Sequence, residues 1–321
     1  MAKLVDALGL GSSNFCCESS SLSIRIFKAI ASEKSFTKAA EMLFVSQPSL
    51  SKQIKTLENR LGILLLNRTR NRIYLTEAGN IFLQYSERIL ALCEESCRAL
   101  NDLKDGERGT LKVGASQTIG AYLMPRILTL FAQSYPQINL NIDVASTRII
   151  AKRVANRMID IAIVGGDIPT DLKKSLEIEY FADDELILII PKFHPFAKKE
   201  NKKISKEDLY HLNFITLNSN STIHKFIDKI LVQNKIQTKN FNVIMELNSI
   251  EAIKMAVSLG LGAAFVSSSA IEKEIELKTV EIITIEKIKI TRTFSIITHT
   301  DLDKSKAFDF FYNELWLLKN L

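Results

Sequence analysis

Side chains that can read DNA bases are concentrated in residues 45–58, VSQPSLSKQIKTLE. Leu50, Ile54 and Leu57 fall at helical spacing and form one apolar stripe for burial. The outward positions are Ser49, Lys52, Gln53, Lys55 and Thr56, and no acid occurs before Glu58. Gln can form two hydrogen bonds to adenine, Lys can reach guanine, and hydroxyls can contact bases or phosphates. Because a carboxylate would be repelled by phosphates, this acid-free helix face predicts contact with a DNA groove.

The distribution of charge supports the same interpretation. The net charge of the chain is +6. The segment from Lys34 to Arg72 contains eight basic residues but only two acids, Glu41 and Glu58, so its excess equals that of the whole chain. A solvated basic face would explain this charge but not its coincidence with the polar helix. The residues predicted to contact DNA are Thr37, Ser46, Gln47, Pro48, Ser49, Ser51, Lys52, Gln53, Lys55, Arg68, Arg70 and Arg72.

The sequence carries no signature of catalysis or of metal binding. Its histidines are scattered, at His194, His211, His224 and His299, and it lacks the H-E-x-x-H, G-x-S-x-G and Walker motifs. The cysteines, Cys16, Cys17, Cys93 and Cys97, form no C-x-x-C, which argues against a zinc site or a disulfide framework and favours a reducing compartment. Cys93 and Cys97 lie one helical turn apart, either as a thiol pair or as small packing residues. We expect no enzyme activity, no metal and no cofactor.

A second kind of site is indicated where strands end and helices begin. In VGASQTIG, Ser116, Gln117 and Thr118 place hydroxyls and N–H groups at a helix N-terminus, which suits either an anion or an ordinary N-cap. The same pattern recurs at Ser146 and Thr147, and Gly165 and Gly166 follow the third strand. Because ligands of open α/β sheets bind at the carboxyl ends of strands, we expect these residues to share one ligand site.

The elements that position the DNA-reading residues form a helix-turn-helix. A helix is predicted over Leu22–Lys34, Ser35 caps a second, and Ser46 caps a third that Gly62 ends. Two short apolar runs, 64–66 and 73–75, flank a basic turn and predict a two-stranded wing. Thr76 then caps a long helix whose apolar residues repeat at period 3.5 to about Leu103. This repeat indicates either a coiled-coil dimer or packing inside the same domain.

Beyond the charged linker DLKDGERG, strand and helix patterns alternate as β-α-β-α-β, which predicts a mostly parallel sheet covered by helices. A further strand, ELILIIP, leads into a second α/β unit, and FSIITH returns to the first. Two such lobes form a hinged clamp with the ligand cleft between them.

These patterns give the predicted domain boundaries. Residues 1–20 are interpreted as a disordered leader that need not belong to the working protein, and residues 21–75 as the winged helix-turn-helix. Residues 76–108 form the linker helix and residues 109–321 the ligand-binding domain. Its first lobe comprises 109–190 and 290–321, and its second lobe 191–289. No apolar run reaches membrane-spanning length, and the N-terminus makes a poor secretory or transit signal.

The motif SFTKAAEMLFVSQPSLSKQIKTLENRLGILLLNRTRNRIYLTEAGN, residues 35–80, resembles the LysR-type transcriptional regulators. The likeness extends from about Leu22 to the C-terminus. It implies an α/β fold with an all-α, winged N-terminal domain, a long linker helix and a two-lobed effector domain like that of periplasmic binding proteins. Within this family, VGASQTIGAYLMPR, DDELILIIP and MELNSIEAIKMAVSLGLGAAFVSSSAIEKE are most similar to the RuBisCO operon transcriptional regulators of cyanobacteria and algal plastids.

The resemblance implies a homodimer or homotetramer that binds double-stranded promoter DNA, contacts RNA polymerase and activates transcription when a small anionic metabolite binds. It implies effector contacts from Ser116, Gln117, Thr118 and Thr147 in the first lobe and from Thr216 in the second. Where family members often carry a proline, this chain has AFVSSSA. The implied location is a plastid or a bacterial cytoplasm. The alternatives are a regulator of another operon, in nitrogen or amino-acid metabolism, or a solute-binding protein built on the clamp.

Overall fold

The computed structural model describes residues 18–69, 72–105, 109–198, 201–219, 221–302 and 304–319. The chain forms two compact units. The first contains the residues up to Gly109 together with Asn156–Met158, and the second contains Thr110–Ala155 and Ile159–Leu321. The division falls next to the predicted end of the linker helix at residue 108. Of the described helices, none is long and apolar enough to cross a membrane.

Three helices open the first unit: α1 (Glu18–Glu33), α2 (Phe36–Met42) and α3 (Gln47–Leu61). The hydroxyls of Ser35 and Ser46 accept hydrogen bonds from the third residue after each, and Gly62 ends α3 in the left-handed conformation, so the predicted caps are present. The start of α1 corrects the predicted leader, because residues 18–20 are helical. Residues 1–17 lie outside the described part of the chain.

A two-stranded wing follows, β1 (Leu66–Thr69) and β2 (Arg72–Leu75), with Leu66 paired to Leu75. The first strand begins later than the predicted run 64–66, because the Leu65 N–H donates to Glu58 Oε1 instead of to the opposite strand. The Leu65 carbonyl accepts from the Thr76 N–H, and the Thr76 hydroxyl donates to Leu64 and caps the next helix at Gly79.

The long helix α4 (Glu77–Asp105) carries the predicted apolar repeat, and the repeat divides into two parts. At its start, Ala78 and Phe82 pack against the core of the first unit, and the rings of Phe82 and Phe27 meet edge to face at 5.1 Å. Farther along, Tyr85, Ile89 and Leu92 are exposed by 57%, 43% and 51%. Packing inside the unit therefore accounts for the first part of the repeat only.

The first lobe of the second unit begins with β3 (Gly109–Ser116), β4 (Ile138–Ala145) and β5 (Ile161–Gly165). They alternate with α5 (Met124–Ser134), which a π-helical turn Ile119–Leu123 precedes, and with α6 (Thr147–Ala155). The strands β3 and β5 pair in parallel, as the β-α-β-α-β pattern predicts. Phe131, Ile163 and Phe311 are fully buried members of the core of this lobe.

The strand β6 (Leu176–Pro191) leads into the second lobe, whose further elements are β7 (Lys203–Ile204), β8 (Asn213–Leu217), α7 (Thr222–Gln233), β9 (Asn242–Leu247), α8 (Ile250–Ser258), β10 (Ala264–Ser267), α9 (Glu272–Glu276) and β11 (Val280–Ile285). The strands β10 and β11 both pair antiparallel with β6, and β8 pairs in parallel with β9. Phe214, Ile190 and Leu231 lie in the core of this lobe.

The strand β12 (Thr291–His299) returns to the first lobe, where it pairs antiparallel with β5 and β6, and α10 (Lys306–Lys319) follows it. The order of the main sheet is β4-β3-β5-β12-β6-β11-β7. Residues 176–185 of β6 pair with β12, whereas residues 186–191 pair with strands of the second lobe. The crossing therefore lies near residue 185, ahead of the predicted boundary at 190, because one continuous strand serves both lobes.

Candidate DNA-binding surface and ligand cleft

The polar face of α3 is open to solvent. Thr37, Ser46, Gln47, Pro48, Ser49, Lys52 and Lys55 are exposed, whereas Ser51 and Gln53 are half-buried. On the opposite side, Leu50 and Ile54 are fully buried. The predicted separation of an apolar stripe from a polar face is therefore present, and the N-terminus of α3 is exposed beside the polar face.

The acid of this helix faces inward. Glu58 is 5% exposed, and its Oε1 accepts hydrogen bonds from the backbone N–H groups of Leu65 and Leu66 at 2.9 and 3.1 Å. The carboxylate therefore fixes the start of the wing to the end of α3. Glu58 is the one acid of α3, so its burial leaves the polar face without a carboxylate.

Of the wing arginines, Arg68 and Arg72 occupy backbone positions in β1 and β2, where Arg68 stands opposite Ile73 and Arg72 opposite Thr69. Arg70 lies outside the described residues. Their predicted contacts with phosphate remain predictions.

The two lobes enclose a cleft of about 630 Å³, and six predicted residues line it: Ser116, Gln117, Thr118, Ser146, Thr147 and Gly165. The strand ends are tied together there. The Gly165 N–H donates to the Ser116 hydroxyl at 3.2 Å, and the Thr147 hydroxyl donates to the Gly165 carbonyl at 2.8 Å. Ser116 and Thr147 thus also shape the first-lobe wall.

The structure does not bring the other two predicted residues, Gly166 and Thr216, into the lining of this cleft. Thr216 lies on β8 beside a separate cavity of about 40 Å³, and its buried hydroxyl has no hydrogen-bond partner among the described residues. Its neighbour Leu217 lines the cleft instead. Leu217 also borders this small cavity, and the predicted effector contact of Thr216 stays a prediction.

The cleft lining is rich in positive charge that sequence reasoning missed. Its charged residues are Arg148, Lys225, Lys229 and Arg292 against the single acid Asp167. The N-terminal residues of α6 and α7 also line it, as does Asn248 shortly before α8. Helix N-termini present free N–H groups and a positive dipole end, so the cleft is suited to an anion. The sequence feature that could have predicted this second-lobe wall is the start of a helix, such as Thr222 after its N-cap Ser221.

Arg292 is the most buried of these cations, at 5% exposure. Its Nε donates to Asp184 Oδ2 at 2.7 Å, and its Nη2 donates to the Thr118 hydroxyl at 3.2 Å. Burial lowers the pKa of the Arg292 guanidinium, and the Asp184 carboxylate opposes that shift. Arg292 is the only arginine or lysine of β12, TRTFSIITH, and this was its signal in the sequence.

Among the described residues, two contacts between side chains connect the lobes. Lys229 Nζ lies 3.2 Å from Asp167 Oδ2, with both side chains exposed. Tyr122 donates its hydroxyl to Glu251 Oε1 at 2.6 Å, and the buried Lys254 Nζ lies 2.9 Å from the same oxygen. Burial and the hydrogen bond to Glu251 raise the pKa of Tyr122. Burial opposes ionisation of Glu251, but bonds from Tyr122 and Lys254 outweigh it and lower the pKa of this carboxyl.

Two family models match the chain. The bacterial regulatory helix-turn-helix protein, lysR family, matches residues 22–80, and the LysR substrate binding domain matches residues 104–316. The chain therefore belongs to the LysR family: it is a DNA-binding transcriptional regulator and not an enzyme. The predicted family and fold are confirmed.

Within the LysR family, the chain is similar to curated proteins that share one name. A protein of Thalassiosira pseudonana named "Probable RuBisCO transcriptional regulator" is 86% identical over 298 residues, which cover 93% of this chain and 97% of the relative. Proteins with the same name from Porphyra purpurea and from Synechocystis sp. are 54% and 50% identical. They cover 92% and 91% of this chain, and 92% and 84% of the relatives. The predicted resemblance to this group is confirmed.

Solved structures agree on the fold. CbnR, a LysR family transcriptional regulator, aligns with a TM-score of 0.67 at 20% identity over 92% of this chain and 98% of its own. The CcmR regulatory domain of Synechocystis PCC6803, in complex with 2-PG, aligns with a TM-score of 0.58 at 26% identity, over 65% of this chain and 97% of its own.

Proposed function

We propose that this regulator activates transcription of RuBisCO genes in a plastid when a small anionic metabolite occupies the cleft between its lobes. The RuBisCO genes are chosen as the target because relatives up to 86% identical over nearly the full chain are named probable RuBisCO transcriptional regulators. The cleft supports an anionic effector through its excess of basic residues and its helix N-termini. The effector is the only small molecule required, without a cofactor or metal.

The DNA is bound by the exposed face of α3, with Lys52 and Gln53 entering the major groove and the wing arginines on flanking phosphates. Support comes from the exposure of this face and from the excess of positive charge confined to residues 34–72. The response follows from differential affinity, since an effector that binds the closed clamp better shifts the protein toward that state.

The working form is a homo-oligomer paired along α4. The exposed Tyr85, Ile89 and Leu92 continue a repeat of period 3.5, which is the pattern that two helices bury against each other. Replacing Leu92 with Lys should shift the purified protein toward smaller species in sedimentation velocity. An unchanged distribution would assign oligomer contacts to another surface. Contact with RNA polymerase is part of the same proposal.

The test of the target is to map bound DNA across the plastid genome with and without 2-PG. Enrichment upstream of the RuBisCO genes, with transcripts rising when 2-PG rises, is expected. Enrichment at nitrogen or amino-acid operons would favour the alternative regulator, and a cyanobacterial host would place the same activity in a bacterial cytoplasm. A variant with Lys52 and Gln53 both changed to Ala serves as the control and should lose every specific peak.

A further inference from the structure

We propose that Arg292 is the residue that anchors the anionic group of the effector, and that Asp184, Ser267 and Ser269 hold it in place. The inference rests on the proposed effector function and adds the residue that recognises the ligand. Arg292 and Asp184 are directly paired across β12 and β6, where these strands pass between the lobes. The anchor therefore lies at the crossing of the two lobes.

The guanidinium is held from one side. Asp184 has no exposed side-chain surface, and its Oδ2 accepts from Arg292 Nε at 2.7 Å. Its Oδ1 accepts from the hydroxyls of Ser267 and Ser269 at 2.6 and 3.3 Å. Three donors thus fix the carboxylate, and the carboxylate fixes the guanidinium. Both serines lie in the segment AFVSSSA, residues 264–270.

The guanidinium of Arg292 has further N–H donors that a ligand can use. Arginine has five N–H donors, of which one is used by Asp184 and one by the Thr118 hydroxyl. Nη1 has no hydrogen-bond partner within the described ranges, although Arg292 is 5% exposed and lines the cleft. The N–H groups of Nη1 are therefore available to a ligand in the cleft. A carboxylate or phosphate oxygen is the acceptor that this position fits best.

The basic residues of the cleft have different roles in this arrangement. Because Asp184 balances the charge of Arg292, this residue contributes directed donors, while Arg148 and Lys225 provide the attraction of unbalanced charge. The network connects Thr118 of the first lobe with Ser267 and Ser269 of the second. An anion bound on Nη1 therefore draws on groups from both lobes and favours the lobe arrangement that brings them together.

The experiment is calorimetric titration of the purified full-length protein with 2-PG and, separately, with inorganic phosphate. Arg292→Gln should weaken binding of 2-PG by about tenfold to a hundredfold, as loss of a charged hydrogen bond does. Because this change leaves Asp184 buried without its cation, the double variant Asp184→Asn with Arg292→Gln is made as well. The double variant should fold like the wild type and still bind weakly. Lys289→Gln, which breaks the exposed ion pair with Glu185 outside the cleft, is the matched control and should bind normally.

The positioning role needs its own measurement. Ser267→Ala should weaken 2-PG binding severalfold while the unliganded melting temperature changes little, and Ser267→Thr, which keeps the hydroxyl, should restore binding. If the wild type binds neither probe, the anionic effector of the proposed function is wrong. If the wild type binds and the folded double variant binds equally well, the assignment of Arg292 is overturned and the proposed function stands.

Discussion

The carboxylate of Glu58 lies 2.9 Å from the backbone nitrogen of Leu65, across the junction of α3 and the wing. The bond joins the base-reading helix to the hairpin that follows it, and a second bond to Leu66 reinforces it. We predict that Glu58→Ala lowers the free energy of unfolding of the DNA-binding unit by about 1–3 kcal/mol, because two backbone N–H groups lose their buried acceptor. Urea unfolding of the purified protein measures this loss.

The same variant should weaken promoter binding in fluorescence anisotropy, although Glu58 itself touches no DNA, because the wing loses its fixed start. Glu58→Gln keeps an acceptor oxygen and should have a smaller effect. Glu41→Ala, an exposed acid on α2, is the matched control and should leave stability within about 0.5 kcal/mol. Equal effects of the Glu41 and Glu58 changes would contradict the structural role of Glu58.

Two glycines of the first unit should respond differently to alanine. A Cβ on Gly79 would lie 2.0 Å from the Leu65 carbonyl oxygen, so the start of α4 would have to move away from the wing. Gly62 has open space around its Cβ position but a φ of +69°. We expect Gly62→Ala to cost about 1 kcal/mol through the left-handed conformation. Gly79→Ala should cost at least twice as much and impair DNA binding. Thermal unfolding with anisotropy tests this order, and the reverse order would rule out the close approach.

Local signals made the first unit predictable. The caps at Ser35, Ser46 and Thr76 and the stop at Gly62 each act within four residues, so the sequence alone places the helices to within a few positions. The inward turn of Glu58 was not predictable, because its partners are backbone groups whose position depends on the folded wing. The start of α1 was missed because serine-rich segments have weak helix propensity.

Reasoning from strand ends located only the first-lobe wall of the cleft, and the second-lobe contact, Thr216, came from the family resemblance. The rule that ligands bind at strand ends located Ser116 to Thr118 and Thr147, since consecutive β-α turns share an edge of the sheet. The charge network depends instead on pairs distant in sequence. Arg292 and Asp184 are 108 positions apart, and only the register of β6 with β12 brings them together.

The polar face of α3 predicts two kinds of DNA-binding defect. Gln53→Ala should relax the preference for one base pair of the operator. It should reduce the binding free energy by about 1–3 kcal/mol on the preferred sequence and leave binding to other sequences unchanged. Lys55→Ala should weaken binding to every sequence and reduce the slope of log affinity against log salt by about one. Arg70→Ala should behave like Lys55→Ala. Titrations of an operator panel at several salt concentrations separate these outcomes, and identical defects for Gln53 and Lys55 would contradict base reading by α3.

The hydrogen bond between Tyr122 and Glu251 predicts an effect on lobe closure. Tyr122→Phe removes a 2.6 Å hydrogen bond between the lobes but keeps the ring that lies 4.9 Å from the Lys254 ammonium. With the closed state less populated, effector affinity should fall in proportion, by about twofold to tenfold. Calorimetry measures the affinity, and small-angle scattering without ligand should show a larger radius of gyration. The control is Lys289→Gln, which should change neither quantity.

The pH dependence of this contact follows from the directions of the two pKa shifts. The pKa of Glu251 is lowered, so its contribution to holding the lobes together is fully present above the ordinary pKa range of glutamate. This contribution is lost only as the pH falls through the lowered pKa. The pKa of Tyr122 is raised, so its hydroxyl keeps its proton through the neutral range. The hydrogen bond that this hydroxyl donates is lost only in strong alkali. The ratio of wild-type to Tyr122→Phe affinity should therefore stay constant from about pH 6 to about pH 9. A titration of that ratio with a midpoint inside this window would show that another group controls closure.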